Sequence, residues 1–296
     1  MKGAREIVKK LALRECTAME VLVVYTGIAF LMVAPQYKNA MGLEPRFYIY
    51  IAIKSFVIFL AWILGFKAIS RLPLSVYAIL DLSRVLFATM LGVVVLNEVM
   101  GLGQYIGLVL VSTGLVLLKY RPKKIVSLLS GRHKGSGETA DAVAVVSGNT
   151  KADEEEMEPL YVICALLSCV LNAVSGLLDK ILMKDISSTQ LQFWYMLILL
   201  AFYLIFTVVT RTKISVKSLT NKWIWLLSLM FVLADKALFV ANSSPDSKIT
   251  MMTLIKQSAC IVTILGGKLV FKEKNIAYKL FCAAVIVIGI LFGTIL

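Results

Sequence analysis

The sequence has a single histidine, His133, and no His/Glu or Cys cluster at metal-ligand spacing, so no zinc centre is expected. It has no GxxxxGK[ST] phosphate loop, which excludes direct coupling of ATP to movement. No nucleophile elbow occurs either, so the chain does not read as a membrane hydrolase or as any other enzyme. The five cysteines, Cys16, Cys164, Cys169, Cys260 and Cys282, show neither metal spacing nor a paired extracellular pattern. Four of them lie in apolar stretches and read as small buried hydrophobes. The first 16 residues alternate charged and apolar positions and lack the apolar core of a signal peptide. No cofactor is expected.

What the chain has in abundance is apolar sequence, 59% of its 296 residues, with a mean hydropathy of +0.85. Crossing the hydrocarbon core takes about 20 apolar residues at about 1.5 Å rise each. Candidate spans lie at 17–36, 47–66, 75–97, 103–118, 159–183, 188–210, 222–242, 247–270 and 276–296. An all-α polytopic membrane protein with nine visible spans is therefore expected. The net charge of +13 follows from Lys and Arg at helix ends, which orient a membrane protein, and does not point to nucleic acid. Residues 1–16 place Ala4, Ile7, Val8 and Leu11 on one helical face and Lys2, Arg5, Lys9 and Arg14 largely off it, which predicts a short helix lying on the membrane surface. Residues 121–158 are rich in Gly, Ser and clustered charge without aromatics, and read as a disordered linker in which His133 is solvated.

The chain is duplicated. "SVYAILDLSRVLFATMLGVVVLNEVMGLGQYIGLVLVSTG" begins at Ser75, and "TMMTLIKQSACIVTILGGKLVFKEKNIAYKLFCAAVIVIG" follows it 175 positions later. Ser83 falls on Ser258, Gly92 on Gly267, Glu98 on Glu273 and Gly114 on Gly289. At an offset of 170, Lys10 falls on Lys180, Thr17 on Ser187 and Tyr25 on Tyr195. The expected units are 1–120, the linker 121–158, and 159–296. Four spans stand in the first unit and five in the second, because residues 1–14 align with only the distal part of the fifth span. Met1 thus falls where the middle of a first helix is expected, either because that helix is lost or because the true start lies upstream. An odd number of spans per repeat inverts one repeat relative to the other, the plan of many secondary transporters. The basic residues, Arg14, Arg71, Arg121, Lys124, Arg211 and Lys272 among them, gather on the linker's side and make it cytoplasmic in a cell membrane.

The two blocks, with Gly92, Glu98, Gly107 and Gly114 in the first and "ILGGKLVFKEK" and Gly289 in the second, resemble the EamA-like family of the drug/metabolite transporter superfamily. That resemblance implies two inverted repeats, ordinarily with ten helices and both termini cytoplasmic, and transport of a small molecule. Arg84 and Ala259 stand where the family commonly has a proline, and Tyr25 and Tyr195 near where it often has an arginine.

Ionisable groups inside spans cost about 2.5–3.5 kcal/mol each near the bilayer centre, so each needs a reason. Tyr77, Asp81 and Arg84 share a face of the third span, and the symmetry mate of Asp81 is Lys256, beside Gln257 and one turn from Thr253. These residues line a polar cavity at the repeat interface, or Asp81 forms a structural ion pair with Arg84 or Lys256. Asp235 and Lys236 point about 100° apart, so one at least faces the bundle. Tyr25, Trp194 and Tyr195 read as cavity walls or as interface anchors. Lys54 reads as snorkelling to a helix end, and Asp179 and Lys180 as interfacial or, as the alternative, as lining the cavity mouth. Glu98 and Glu273 read as caps of turns, and Gly92, Gly266 and Gly267 as sites of close helix approach. The expected function is secondary transport of a small organic metabolite, anionic or zwitterionic, by alternating access, with Asp81 and Asp235 as candidates for proton coupling. The other readings are a flippase for a lipid-linked sugar and a non-transporting membrane subunit. The expected partners are the bilayer and the substrate, with a homodimer as candidate oligomer.

Overall fold

The structure is a computed structural model that describes residues 2–96, 101–119, 158–243, 249–273 and 275–295. Side chains at 89, 92–96, 104, 118–119, 180, 238–243, 249–258 and 293–295 are outside the described set, as are the expected linker and Glu98. The described residues are almost all helical, with short connections between helices and no strand among them. In order they form α1 (Lys2–Glu15), α2 (Ala18–Val33), a 3-10 turn (Ala34–Gln36), α3 (Tyr37–Ala40), α4 (Pro45–Arg71), α5 (Leu74–Leu96) and α6 (Leu102–Lys119). The second repeat gives α7 (Pro159–Leu182), α8 (Ser188–Val209), α9 (Val216–Leu219), α10 (Lys222–Ser243), α11 (Ile249–Phe271) and α12 (Ile276–Ile295). Among the described residues, Ala18–Ala40, Pro45–Arg71, Pro159–Asp179 and Ser188–Val209 are long and apolar enough to cross a membrane. Shorter apolar helices run through Tyr105–Leu117, Ala259–Phe271 and Ile276–Phe292.

Local signals start the helices in matched places. Thr17 and Glu20 form a capping box on α2: the Thr17 amide donates to Glu20 Oε2 at 2.8 Å and the Glu20 amide to Thr17 Oγ1 at 3.4 Å. Ser187 and Gln190, the same positions 170 residues on, form the equivalent box on α8 at 3.0 and 3.2 Å. Proline opens both α4 and α7, where its missing N–H would be unpaired in any case.

Packing obeys an exchange symmetry. α4 and α5 both lie on α7, and their counterparts α10 and α11 both lie on α1; α8 packs on α4 as α2 packs on α10. Helix α1 is therefore a member of the bundle and not a surface helix. Its 14 residues, roughly 21 Å long, fill the place that the distal half of α7 fills in the other repeat. It sits close against α11: a Cβ on Gly3 would lie 2.7 Å from the Ala259 carbonyl, and a Cβ on Gly266 would run into the Ile7 side chain. Among the described residues, and leaving aside the four-residue α3 and α9, each repeat thus brings five helices to the bundle, with α1 the shortest of them.

Among the described residues α6 and α12 cross closely, and the crossing is two-fold. A Cβ on Gly289 would lie 2.7 Å from Leu110 Cβ, 2.9 Å from the Gly107 carbonyl and 3.0 Å from the Val111 amide. On Gly114 it would meet the Ile286 side chain and, at 3.2 Å, the Cys282 carbonyl, which are the same partners displaced by 175 residues. Small residues here let two backbones touch, the packing role expected for glycines in this block.

Glu273 ties the repeats at the end where α6 finishes and α7 begins, the linker end. Its carboxylate accepts from the Leu74 amide at 2.5 Å, the Ser75 amide at 3.1 Å and the Ser75 hydroxyl. Lys279 lies 3.4 Å away and Lys10 3.9 Å away. It is a cap, as expected, but of helix α5 in the other repeat. Left-handed backbone at Lys272 (φ 54°) and Asn275 (φ 57°) turns the chain to present it. Burial pushes this carboxyl up, but the Ser75 hydroxyl and amide, Lys279 and Lys10 outweigh burial, and it titrates below its ordinary range.

Two outcomes follow. Gly289→Ala, which meets backbone, should cost about 1–3 kcal/mol of stability and more than Gly114→Ala, which meets a movable Ile side chain first; thermal melts in detergent check the order. The clamp's contribution is full above the unfolded carboxylate value of about 4.3 and lost as pH falls through the lower folded value. Glu273→Gln should therefore melt lower than wild type at pH 7, by ~1–3 kcal/mol, and the gap should narrow in melts taken toward pH 3.

Candidate functional site

Helix α1 carries Lys2, Arg5, Glu6 and Lys9 within two turns, at spacings that put Lys2, Glu6 and Lys9 on one face. That face turns inward, between two apolar clusters. One is built by α2, α4, α8 and α10, and the other by α5, α6, α7, α11 and α12. The charges face the seam between the repeats.

On one side of the seam, Lys2 Nζ lies 2.5 Å from Asp81 Oδ2 of α5. Lys2, Glu6, Tyr77, Ala78, Asp81, Leu82, Ala259, Cys260 and Thr263 line a cleft between α1, α5 and α11. It holds about 260 Å³ of empty space, its open mouth included, and has room for about one water molecule. The expected partner of Asp81 was Arg84 or Lys256. Instead α1 lies beside α5 and brings an ammonium directly onto the carboxylate. Arg84 lies within electrostatic reach of Asp81 but forms no ion pair or hydrogen bond among the described residues. Thr253, Lys256 and Gln257 belong to α11, and their side chains lie outside the described set.

On the other side, four rings form a wall. Tyr25 lies 5.6 Å from Trp62, 6.3 Å from Phe66 and 5.1 Å from Phe231, and Trp62 lies 5.2 Å from Phe231. Two cations of α1 rest on this wall: Lys9 Nζ is 4.8 Å from the centre of Phe66 and Arg5 Cζ is 5.6 Å from that of Phe231. Lys9 also donates to Glu6 at 2.7 Å.

Farther from the linker end, Tyr195 donates its hydroxyl to Asp235 Oδ2 at 2.7 Å, so Asp235 is the member of its pair that faces the bundle. Lys54 does not snorkel. It is 2% exposed, lies 2.8 Å from Asp179 Oδ1 in an ion pair without hydrogen-bond geometry, and sits 3.7 Å over the Tyr195 ring. Asp179 is thus a partner of α4 across the repeats rather than an interfacial group.

Trp194 and Lys236 belong to the opposite end of the bundle. Trp194 Nε1 donates to the Ala40 carbonyl at 2.9 Å and packs edge-on against Tyr48. Lys236 Nζ reaches Thr189 at 3.2 Å and Gln36 at 3.4 Å. Gln190 donates to the Met41 carbonyl at 3.3 Å. The short segment 36–41 is therefore tied to α8 and α10 and covers that end, as Glu273 ties the linker end. Among the residues expected at the site, the structure joins Tyr77 with Asp81 and Tyr195 with Asp235, and places Tyr25 on the ring wall. It adds Lys2, Arg5, Glu6 and Lys9, whose only sequence signal was the alignment of residues 1–14 with the distal part of the fifth span, together with Lys54, which the sequence placed at a helix end, and Trp62, Phe66 and Phe231, which no sequence signal singled out.

A solved crystal structure aligns with 99% of this chain and 94% of its own at a TM-score of 0.60, with 12% identity, a likeness of fold alone. No curated protein matches the chain. The EamA-like transporter family matches residues 4–120 and again 159–295, one match per repeat and most of the chain between them. With its paired blocks and exchange-symmetric helices, the chain belongs to the EamA-like transporter family and is a multi-pass membrane transporter of small molecules, not an enzyme.

Proposed function

We propose that the chain moves a small organic metabolite by alternating access, with the substrate bound at the seam between the repeats. The observation that carries this reading is the inward turn of the charged face of α1 onto Asp81 on one side and the ring wall on the other. Charges held inside a bilayer protein ordinarily serve a pathway, since lipid cannot solvate them. Both ends of the seam are tied, by Glu273 at the linker end and by residues 36–41 at the other. Release of one tie while the other holds is the motion this mechanism requires.

The described interior charges lean positive, with Lys2, Arg5, Lys9, Lys54 and Arg84 against Glu6, Asp81, Asp179 and Asp235, which favours an anionic or zwitterionic substrate. Asp235, held by a neutral phenol rather than a cation, is the better candidate for proton coupling than Asp81, which is already paired. The basic side of the helices makes the linker cytoplasmic in a cell membrane.

The test is flux in liposomes containing only the purified chain, screened against a mixture of small metabolites. The expected result is saturable uptake that falls at least about tenfold in Asp81→Asn, with a folded protein by size exclusion, and that loses its response to a pH gradient in Asp235→Asn. Wild-type flux in Asp81→Asn and an unaltered pH response in Asp235→Asn would sink the site. Flux that requires a second protein would instead support a subunit role.

A further inference from the structure

The two ends of the seam are covered by matched contacts. After α8, Ser215 at the start of α9 donates its amide to Glu20 in the first turn of α2, at 3.0 Å. After α2, the Met41 carbonyl at the end of α3 accepts from Gln190 in the first turn of α8, at 3.3 Å. Glu20 and Gln190 are equivalent positions, 170 residues apart. The equivalence breaks two residues further on, where Leu22 in α2 answers to Gln192 in α8. Both side chains are fully buried. Neither Oε1 nor Nε2 of Gln192 has a hydrogen-bond partner among the described residues.

Gln192 stands among the residues that hold the cover at its end. Thr189 takes Lys236 at 3.2 Å, Gln190 takes Met41, and Trp194 donates to the Ala40 carbonyl at 2.9 Å, all within a turn of Gln192. Tyr195, Met196 and Leu199, buried as well, continue its face toward the middle of α8. A carboxamide carries one acceptor oxygen and two N–H donors. Buried without partners, it bears the whole cost of leaving water, and that cost falls on the closed state alone. Lifting of residues 36–41 lets water in at this depth and removes it. At the linker end the balance has the opposite sign, since opening there brings Leu22 toward water. The fold itself does not demand a polar group, because leucine fills the matched place.

We propose that Gln192 is a built-in opener: its unpaired amide weakens the closure made by residues 36–41, so that the end away from the linker releases more readily than the linker end. This rests on the transport reading above and gives the two ends of the seam their order of opening in the ligand-free protein. The Tyr203 hydroxyl is also buried and unpaired. It lies about 16 Å further along α8, toward the linker end, and so serves as a control for an orphaned group that the cover does not overlie.

The test is amide hydrogen exchange, read by mass spectrometry on the purified full chain in detergent without ligand, over residues 34–43 and 211–221. Gln192→Leu and Gln192→Met should slow exchange in 34–43 by about fivefold or more and leave 211–221 no slower than wild type. Both should melt about 2–4 °C above wild type. Tyr203→Phe should raise the melting temperature too, with exchange in 34–43 unchanged. Unaltered or faster exchange in 34–43 in the two Gln192 variants, equal slowing at both ends, equal slowing of 34–43 in Tyr203→Phe, or Gln192 variants melting below wild type would each overturn the proposal. Liposome flux separates it from the reading it rests on. The expected exchange pattern without flux removes the transport reading and leaves the weakened closure. Flux with wild-type exchange in Gln192→Leu removes the Gln192 proposal alone.

Discussion

A charge that enters hydrocarbon must be turned away from it, and the arrangement of this protein follows from that constraint applied to α1. Four charged residues within two turns would cost on the order of 10 kcal/mol if each faced lipid near the bilayer centre. The bundle removes them from lipid by placing α1 against α10 and α11 with its charged face on the seam. There Asp81, Glu6 and two aromatic rings receive them. The polar seam is therefore a property of the fold and, in the proposed function, of the binding surface as well. The same side chains that allow α1 to be buried give the interface its chemistry.

The rest of the fold keeps the two sides of that seam together. Backbone contact at Gly289 and Gly114 fixes α6 on α12 in a crossing that looks the same from either repeat. In the proposed mechanism such a crossing would serve as the reference about which the other helices shift, because at Gly289 backbone meets backbone. Polar ties stand away from it, at the two ends: the Glu273 clamp on the first turn of α5, and the bonds from Gln190, Trp194 and Lys236 to residues 36–41. Directional bonds to a few groups could be exchanged for water in the proposed opening of one end, whereas the packed glycine crossing cannot open without exposing a gap.

Much of this was legible in the sequence because duplication writes itself in matched positions. The offsets of 170 and 175 paired Thr17 with Ser187 and Gly114 with Gly289, and these proved to be matched caps and a matched crossing. The error at α1 came from weighing one signal above another. Charges off the apolar face of a short helix suggest water on that side, yet the alignment of residues 1–14 with 171–184 already gave the helix a place inside. Periodicity tells which residues share a face, not whether that face meets water or a buried carboxylate. For the same reason Asp81 was matched with Arg84 and Lys256, its neighbours in sequence and symmetry, while Lys2 stood on a helix assigned elsewhere. The joining of Lys54 to Asp179 across the repeats, and the four-ring wall, depend on tertiary packing that no single stretch records.

Helix α1 belongs to the bundle and meets α5 through the Lys2–Asp81 pair. Exchange of the two charges tests it most directly, with melting temperature measured for Lys2→Asp, Asp81→Lys and the double variant. If the pair forms as described, each single variant places like charges together and melts below wild type, and the double variant recovers most of the loss. A double variant no more stable than the sum of the two single losses would contradict the pairing, and with it the inward placement of α1.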